Sequence, residues 1–405
     1  MRLSMTILAL ALASGAFTAP ATAQRAELAQ RKPNVPNEAK KPIFELQTAV
    51  NANDVANIPA KLAAAQAAAK TPADKLLVAQ LHLKAAVAAN DEKAQMTAVE
   101  AMIASGGLDP AQIPTVSIAL GKLQFKNRQY AQASSTLERA LAVSPGNSEV
   151  LILLAESRNA QGQVQEAIAL LKRAVQAKTA AGQKADEAWY KRAIALAFNA
   201  NLPSSVELGR QWVAAYPTPA NWRDAIRIYR KVGNLDDGAT LDALRLARAA
   251  GALEGDLDFH LYAVKAIGPS PGEARAVIDE AIAAKKIDPN KPIFKEISTA
   301  LAASKGMSLA ALPALAKEAL ASPAARLAVR TGDAYYGYGE YAKAAELYRA
   351  ALGKSGADAG LINLHLGMAL ARAGDKAGAT AAFNAVTGPR SELAKFWLLY
   401  LATSA

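Results

Sequence analysis

The residues whose types and spacing could do chemistry are few, and each is undercut by its neighbours. Gly268-Pro269-Ser270-Pro271-Gly272 spells the G-x-S-x-G elbow that presents a nucleophilic serine after a strand. The residue after that serine must donate a backbone N–H to an oxyanion, and Pro271 has none. Proline also confines the residue before it to extended backbone, whereas the elbow is strained. The segment reads as an inter-helix turn. Gly337-Tyr338-Gly339-Glu340-Tyr341-Ala342 superficially matches a dinucleotide fingerprint, but that motif must leave a strand, and here a helical stretch with Tyr335-Tyr336 precedes it. His82, His260 and His365 fall on different predicted helices without ligand-spaced partners, so they read as surface or groove histidines rather than metal ligands. Asp236-Asp237 sits in a turn beside a helix start, where capping explains it. The chain has no cysteine, which removes thiol nucleophiles, zinc–thiolate sites and disulfides together. No catalytic residue, metal ligand or cofactor-binding residue is assigned, and a non-enzyme is expected.

The elements around these residues explain why they are idle. From Ile43 onward, helical segments of about a dozen residues alternate with short turns marked by Gly, Asn, Asp or Pro, and no stretch shows the period-two alternation of a strand. The composition is 52% hydrophobic but only 6% aromatic, with alanine supplying much of the apolar share. Alanine is the best helix former and lets helices approach closely. Gly121, Ala133, Leu137 and Ala140 recur as Ala155, Ala167, Leu171 and Ala174, each 34 residues on; Pro145 is followed at that interval by Thr179. Gly332, Ala344, Tyr348 and Ala351 recur as Gly367, Ala379, Phe383 and Val386, each 35 residues on. Small residues at these spacings belong where two helices cross, with a large residue beside them to fill the gap.

On these residues the chain resembles the tetratricopeptide-repeat (TPR) family. Gly332, Tyr335, Tyr341, Ala344, Tyr348 and Ala351 match its signature most fully. Leu366, Gly367, Ala379 and Phe383 match in the next repeat, and Leu120, Gly121, Ala133, Ala140 and Pro145 in an earlier one. The resemblance implies an all-α fold: a right-handed α–α superhelical solenoid of TPR-like helix hairpins with a C-terminal capping helix. Well-matched units are expected over 114–181 and 325–388, with degenerate repeats over 43–113 and 182–324. The cap falls in 389–405, where Leu393, Phe396, Trp397 and Tyr400 share one helical face. By the family's geometry, first helices line the concave face, which places Arg326, Arg330, Asp333, Tyr336, Leu361, His365 and Arg372 at a partner-binding groove. Tyrosine and arginine suit such a role, offering large contact area and charge-assisted hydrogen bonds. The Lys/Asn pattern with which some TPR proteins clamp a peptide carboxylate is not found at these positions.

The first residues bear on compartment. Met1-Arg2 is a short positive start, Leu3–Phe17 is an apolar run, and Ala21-Thr22-Ala23 supplies the small residues that signal peptidase needs. A signal peptide is expected over 1–23, a mature start at Gln24 and a flexible linker over 24–42. The apolar run is too short for a membrane span, so a soluble periplasmic protein with no transmembrane segment is expected. The formal charge of +11 is spread among dispersed Lys, Arg, Asp and Glu, the pattern of a solvated helix surface. An exported protein has little use for nucleic acid. The expected partner is a protein or peptide of the cell envelope; the alternative is an accessory role in polysaccharide export or cell-wall handling, with an anionic glycan as ligand.

Overall fold

The computed structural model describes residues 37–304 and 307–404. The expected signal peptide, the linker up to residue 36 and Gly306 lie outside them. The linker expected to reach residue 42 is shorter at its far end, because a helix already begins at Asn37. Ala39, Ile43 and Leu46 give that helix a buried stripe, and Pro42 sits within its second turn.

Among the described residues the fold is an all-α helical solenoid, with an isolated bridge between Ala324 and Ser355 as its only β pairing. The chain divides into two compact units at Ala193/Ile194. The first holds α1 (Asn37–Asn51), α2 (Ile58–Ala68), α3 (Pro72–Ala88), α4 (Glu92–Ala104), α5 (Ile113–Lys126), α6 (Tyr130–Val143), α7 (Ser148–Ala160) and α8 (Val164–Ala180). The division falls inside α9 (Glu187–Asn199). The second unit continues with α10 (Ser204–Ala215), α11 (Pro219–Val232), α12 (Asp237–Ala249), α13 (Gly255–Ile267), α14 (Pro271–Ala283), α15 (Pro292–Ala303) and α16 (Leu312–Ala321). It ends with α17 (Ala325–Gly337), α18 (Tyr341–Leu352), α19 (Ala359–Arg372), α20 (Lys376–Asn384) and α21 (Ser391–Thr403).

Two local devices make the hairpins. The first is the turn. The second residue after most first helices takes a left-handed conformation: Asn53, Asn90, Arg128 and Gly162 in the first unit, Asn201, Asn234, Gly339 and Gly374 in the second. Glycine and asparagine tolerate that conformation best. The second device is the crossing. A Cβ on Gly332 would meet the Tyr348 ring at 2.7 Å, and one on Gly367 would meet the Phe383 ring at 2.5 Å. The signature glycine of each first helix is thus roofed by the signature aromatic of its second helix. Ala344, Ala351 and Ala379 are fully buried beside these contacts.

The repeat interval also appears as contacts between corresponding helices. Lys84 donates to Asn51 at 2.7 Å across 33 residues, and Arg390 to Asp358 at 3.2 Å across 32. Each hairpin therefore leans on the equivalent place of its neighbour, as a solenoid requires.

The second unit departs from that simple stacking. Its second-position helices α10, α12 and α14 lie, in reverse order, against α21, α19 and α17. Small residues permit the tightest of these approaches. A Cβ on Gly337 would sit 2.1 Å from Ser270 Oγ, and one on Gly272 2.7 Å from the Tyr338 ring. The Gly268–Gly272 segment is an inter-helix turn: Ser270 is buried and its hydroxyl donates to the Asp333 carbonyl at 3.4 Å.

Candidate partner-binding site

The seven residues assigned to a groove divide between two environments. Arg326 and Arg330 on α17 are exposed. Arg330 lines a cleft of about 540 Å³ together with the Gly268–Gly272 turn, Ala334 and Tyr338. Leu361 is half-buried at the start of α19, and Arg372 at its end donates to the Tyr341 hydroxyl at 3.1 Å. Asp333, Tyr336 and His365 instead point at other helices of the same unit, and Tyr336 and His365 are buried. The family geometry supposes an open concave face; here α12 and α14 fill it.

What fills it is a charged cluster. His365 Nε2 lies 3.1 and 3.2 Å from the two carboxylate oxygens of Asp242, and its Nδ1 lies 2.9 Å from Asp333 Oδ1. Arg245 donates to Asp242 at 2.9 Å and grips Glu273 through Nε at 2.9 Å and Nη2 at 2.7 Å. Tyr262 donates to Glu273 at 2.8 Å, Tyr348 donates to Asp333 at 2.7 Å, and the Arg245 guanidinium rests over the Tyr336 ring at 4.9 Å. Six helices, α12, α13, α14, α17, α18 and α19, contribute to it.

Burial alone would depress the His365 imidazole, but Asp242 and Asp333 outweigh burial and hold its pKa at about 9. The ring is therefore cationic at neutral pH, with Nε2 hydrogen-bonded to Asp242 and Nδ1 in ion-pair contact with Asp333. Burial would likewise raise Asp242 and Asp333; His365 and then Arg245 overcome it and keep both carboxyls below their ordinary range. Tyr336 and Tyr348 are pushed up, first by burial. Each charge is satisfied by another, which is how a low-dielectric interior tolerates them. Such a cluster holds helices together; it presents no open position to a substrate. Among the described residues no group of three or more His, Cys, Asp or Glu is arranged to hold a metal ion.

The first unit offers the contrasting surface. On α5 and α7, the first helices of its later repeats, Lys122 pairs with Glu149 at 2.8 Å while keeping 57% and 60% of their side chains exposed. Ile152 and Glu156 are half-buried on the same side of α7, and Arg192 pairs with Glu156 at 2.6 Å. This face reaches solvent, and none of its residues was assigned to the groove from sequence. Its signal would have been an apolar residue, Ile152, flanked by charges one turn away on either side.

The remaining tempting residues are structural. Asp236 caps α12 by accepting from Ala239 N–H at 2.7 Å, and Asp237 pairs with Lys265. His82 is half-buried on α3, with burial lowering its pKa.

The sequence profile described as tetratricopeptide repeat matches residues 118–182 and 329–392, the segments that hold the Gly121, Gly332 and Gly367 crossings. These two segments are tetratricopeptide repeats. No curated protein matches the chain. Two solved structures align with it at low identity. MamA, from residue 41 to its end, from Desulfovibrio magneticus RS-1 is 14% identical, with 49% of this chain and 98% of that one covered and a TM-score of 0.29. A tetratricopeptide repeat protein from Parabacteroides merdae ATCC 43184 is 12% identical, with 73% of this chain and 99% of that one covered and a TM-score of 0.32. TPR hairpins are protein-interaction scaffolds, and among the described residues no helix is long and apolar enough to cross a membrane.

Proposed function

We propose that this TPR protein is a non-catalytic scaffold of the cell envelope that holds a protein or peptide partner on the first-helix face of its α5–α8 repeats. The observation that carries the reading is the contrast between its two TPR segments. The face of α17 and α19 is spent on an internal charged cluster, whereas that of α5 and α7 carries solvent-reaching charges around a partly exposed Ile152. A partly exposed apolar residue rimmed by charge suits a partner that brings both apolar and ionic groups.

The envelope location is supported by the Leu3–Phe17 run and the Ala21-Thr22-Ala23 site. N-terminal sequencing of exported material is expected to start at Gln24, and a retained Met1 would overturn the location. The partner class is tested by crosslinking the protein in envelope material. A retained polypeptide whose capture falls in Lys122→Glu supports the scaffold. Retention of an anionic glycan alone would favour the accessory role in polysaccharide export or cell-wall handling.

A further inference from the structure

The last helix, α21, does two jobs with two stripes. Leu393 and Trp397 face the final hairpin, where the Trp397 ring stacks on Phe383 at 5.6 Å and 15°. Glu392, Phe396 and Tyr400, spaced by four residues, face α10 and α11 instead. Glu392 lies 3.3 Å from Arg210 Nη2. The Phe396 ring centroid is 6.3 Å from Trp222, 5.8 Å from Tyr229 and 6.0 Å from the Arg210 guanidinium carbon. Tyr400 meets Trp222 edge-on at 6.3 Å. Arg210, Trp222 and Tyr229 therefore form a helix-binding surface, and the seated helix shows what it recognises: a carboxylate followed by two aromatic rings.

The fit of α21 is incomplete. Trp397 is fully buried, yet its indole N–H has no acceptor among the described residues. The buried Nε of Arg210 also has none, so its pairing with Glu392 uses one edge of a fork built for two bonds. Glu392 is drawn toward Lys395 as well, at 2.5 Å. A buried donor left without an acceptor is destabilising, so a helix placing its carboxylate on both Arg210 nitrogens has an advantage over the one in place. The connection from α20 is the short turn Gly388–Arg390, with Gly388 at a φ of 72°.

We propose that the α10–α11 surface is a second docking site, for an amphipathic helix of a partner protein that presents a carboxylate and two aromatic residues at successive four-residue intervals, and that α21 occupies it in cis. The proposal rests on the scaffold reading. A tethered helix competes at high effective concentration, so a partner must outbid α21 before it binds.

The probe is a fluorescent synthetic peptide with the sequence of residues 389–403, titrated by anisotropy into the full chain. Phe396→Ala with Tyr400→Ala weakens the cis helix while keeping Arg210 itself in place, and this variant is expected to bind the peptide roughly tenfold more tightly than wild type. Adding Arg210→Glu is expected to remove that gain. Equal binding by wild type and a folded double variant, or a gain that survives Arg210→Glu, overturns the proposal. Should the double variant not fold, hydrogen exchange on the wild-type chain decides. Amides of α21 are expected to exchange at least about tenfold faster than those of α19, and equal protection overturns it. Failure here with Lys122-dependent capture intact leaves the scaffold reading standing.

Discussion

The two TPR segments share one signature and use it differently. In 118–182 the first helices keep Lys122 and Glu149 in solvent; in 329–392 the equivalent helices carry Asp333, Tyr336 and His365 into a sealed charged cluster. The hairpin is made locally, by a left-handed turn residue and a glycine or alanine under a large side chain. Whether its concave face stays open is decided elsewhere, by whether another helix can return to it. In the second unit the Gly268–Gly272 turn and Gly337 let α14 return, and Arg245 travels with α12 to neutralise what it meets. A repeat signature identifies a binding architecture; it does not say that the architecture is vacant.

The largest expected effect tests that asymmetry directly. Arg245→Ala strands Glu273 and Asp242 in a dry interior, and removing one partner of such a cluster costs about 3–5 kcal/mol. The matching change in the first unit, Arg192→Ala, breaks a pair in which Arg192 is 40% exposed and is expected to cost less than about 1 kcal/mol. Chemical denaturation of both variants checks this. Equal losses would mean that the cluster is not what holds the second unit closed.

The same cluster predicts a pH signature. His365 is raised from 6.5 to about 9, so its contribution to stability is complete below pH 6.5 and is lost as pH climbs through 9. Asp242 and Asp333 are lowered from 3.8, so their contribution is complete above that value and fades only as pH falls through their still lower folded values. Stability of the second unit should therefore be flat from about pH 4 to 6.5 and decline by roughly 3 kcal/mol toward pH 9. Thermal melts across that range measure the slope, and His365→Gln should flatten it.

How much of this was legible in the sequence follows from distance along the chain. The crossings were legible: Gly332 with Tyr348 and Gly367 with Phe383 sit sixteen residues apart, and one helical hairpin brings them together. The cluster was not, because Asp242 and His365 are 123 residues apart and no periodicity links them. Tyr336 shows the cost of that blindness. Off the packing signature, it reads from sequence as a groove residue; in the fold it is buried against Arg245. Tyr336→Ala is now expected to cost about 3 kcal/mol or more, as aromatic truncations in cores do, while Arg330→Ala on the exposed side of the same helix should leave the melt unchanged. The cap shows a milder version. Its apolar face over the last hairpin was legible, but the contact of Phe396 with Trp222 lies beyond any repeat interval.

A smaller effect tests whether hairpins are independent. Ala344→Leu inserts three carbons where α17 and α18 cross, at a cost of about 1–3 kcal/mol from overpacking. Increased hydrogen exchange should be confined to the second unit. A matching rise around Ala133 and Ala167 would contradict the nearest-neighbour character of a solenoid.

The smallest expected effect on stability is the most informative about function. Lys122 and Glu149 are more than half exposed, so Lys122→Ala removes an ion pair that solvent already screens and should shift stability by no more than about 0.5 kcal/mol. Any loss of partner capture in this variant must then come from the surface itself. The face it belongs to includes Ile152, whose partly buried side chain supplies the apolar contact that a charge rim alone lacks. Ile152→Ser should accordingly weaken capture more than Lys122→Ala does, since central apolar anchors carry more binding energy than rim charges. Raising the salt concentration should weaken capture by wild type but leave Lys122→Ala less affected, because the screened interaction has already been removed. Capture indifferent to both substitutions, and abolished by Arg330→Ala, would move the site to the exposed cleft beside α17 and leave α5 and α7 as spacers.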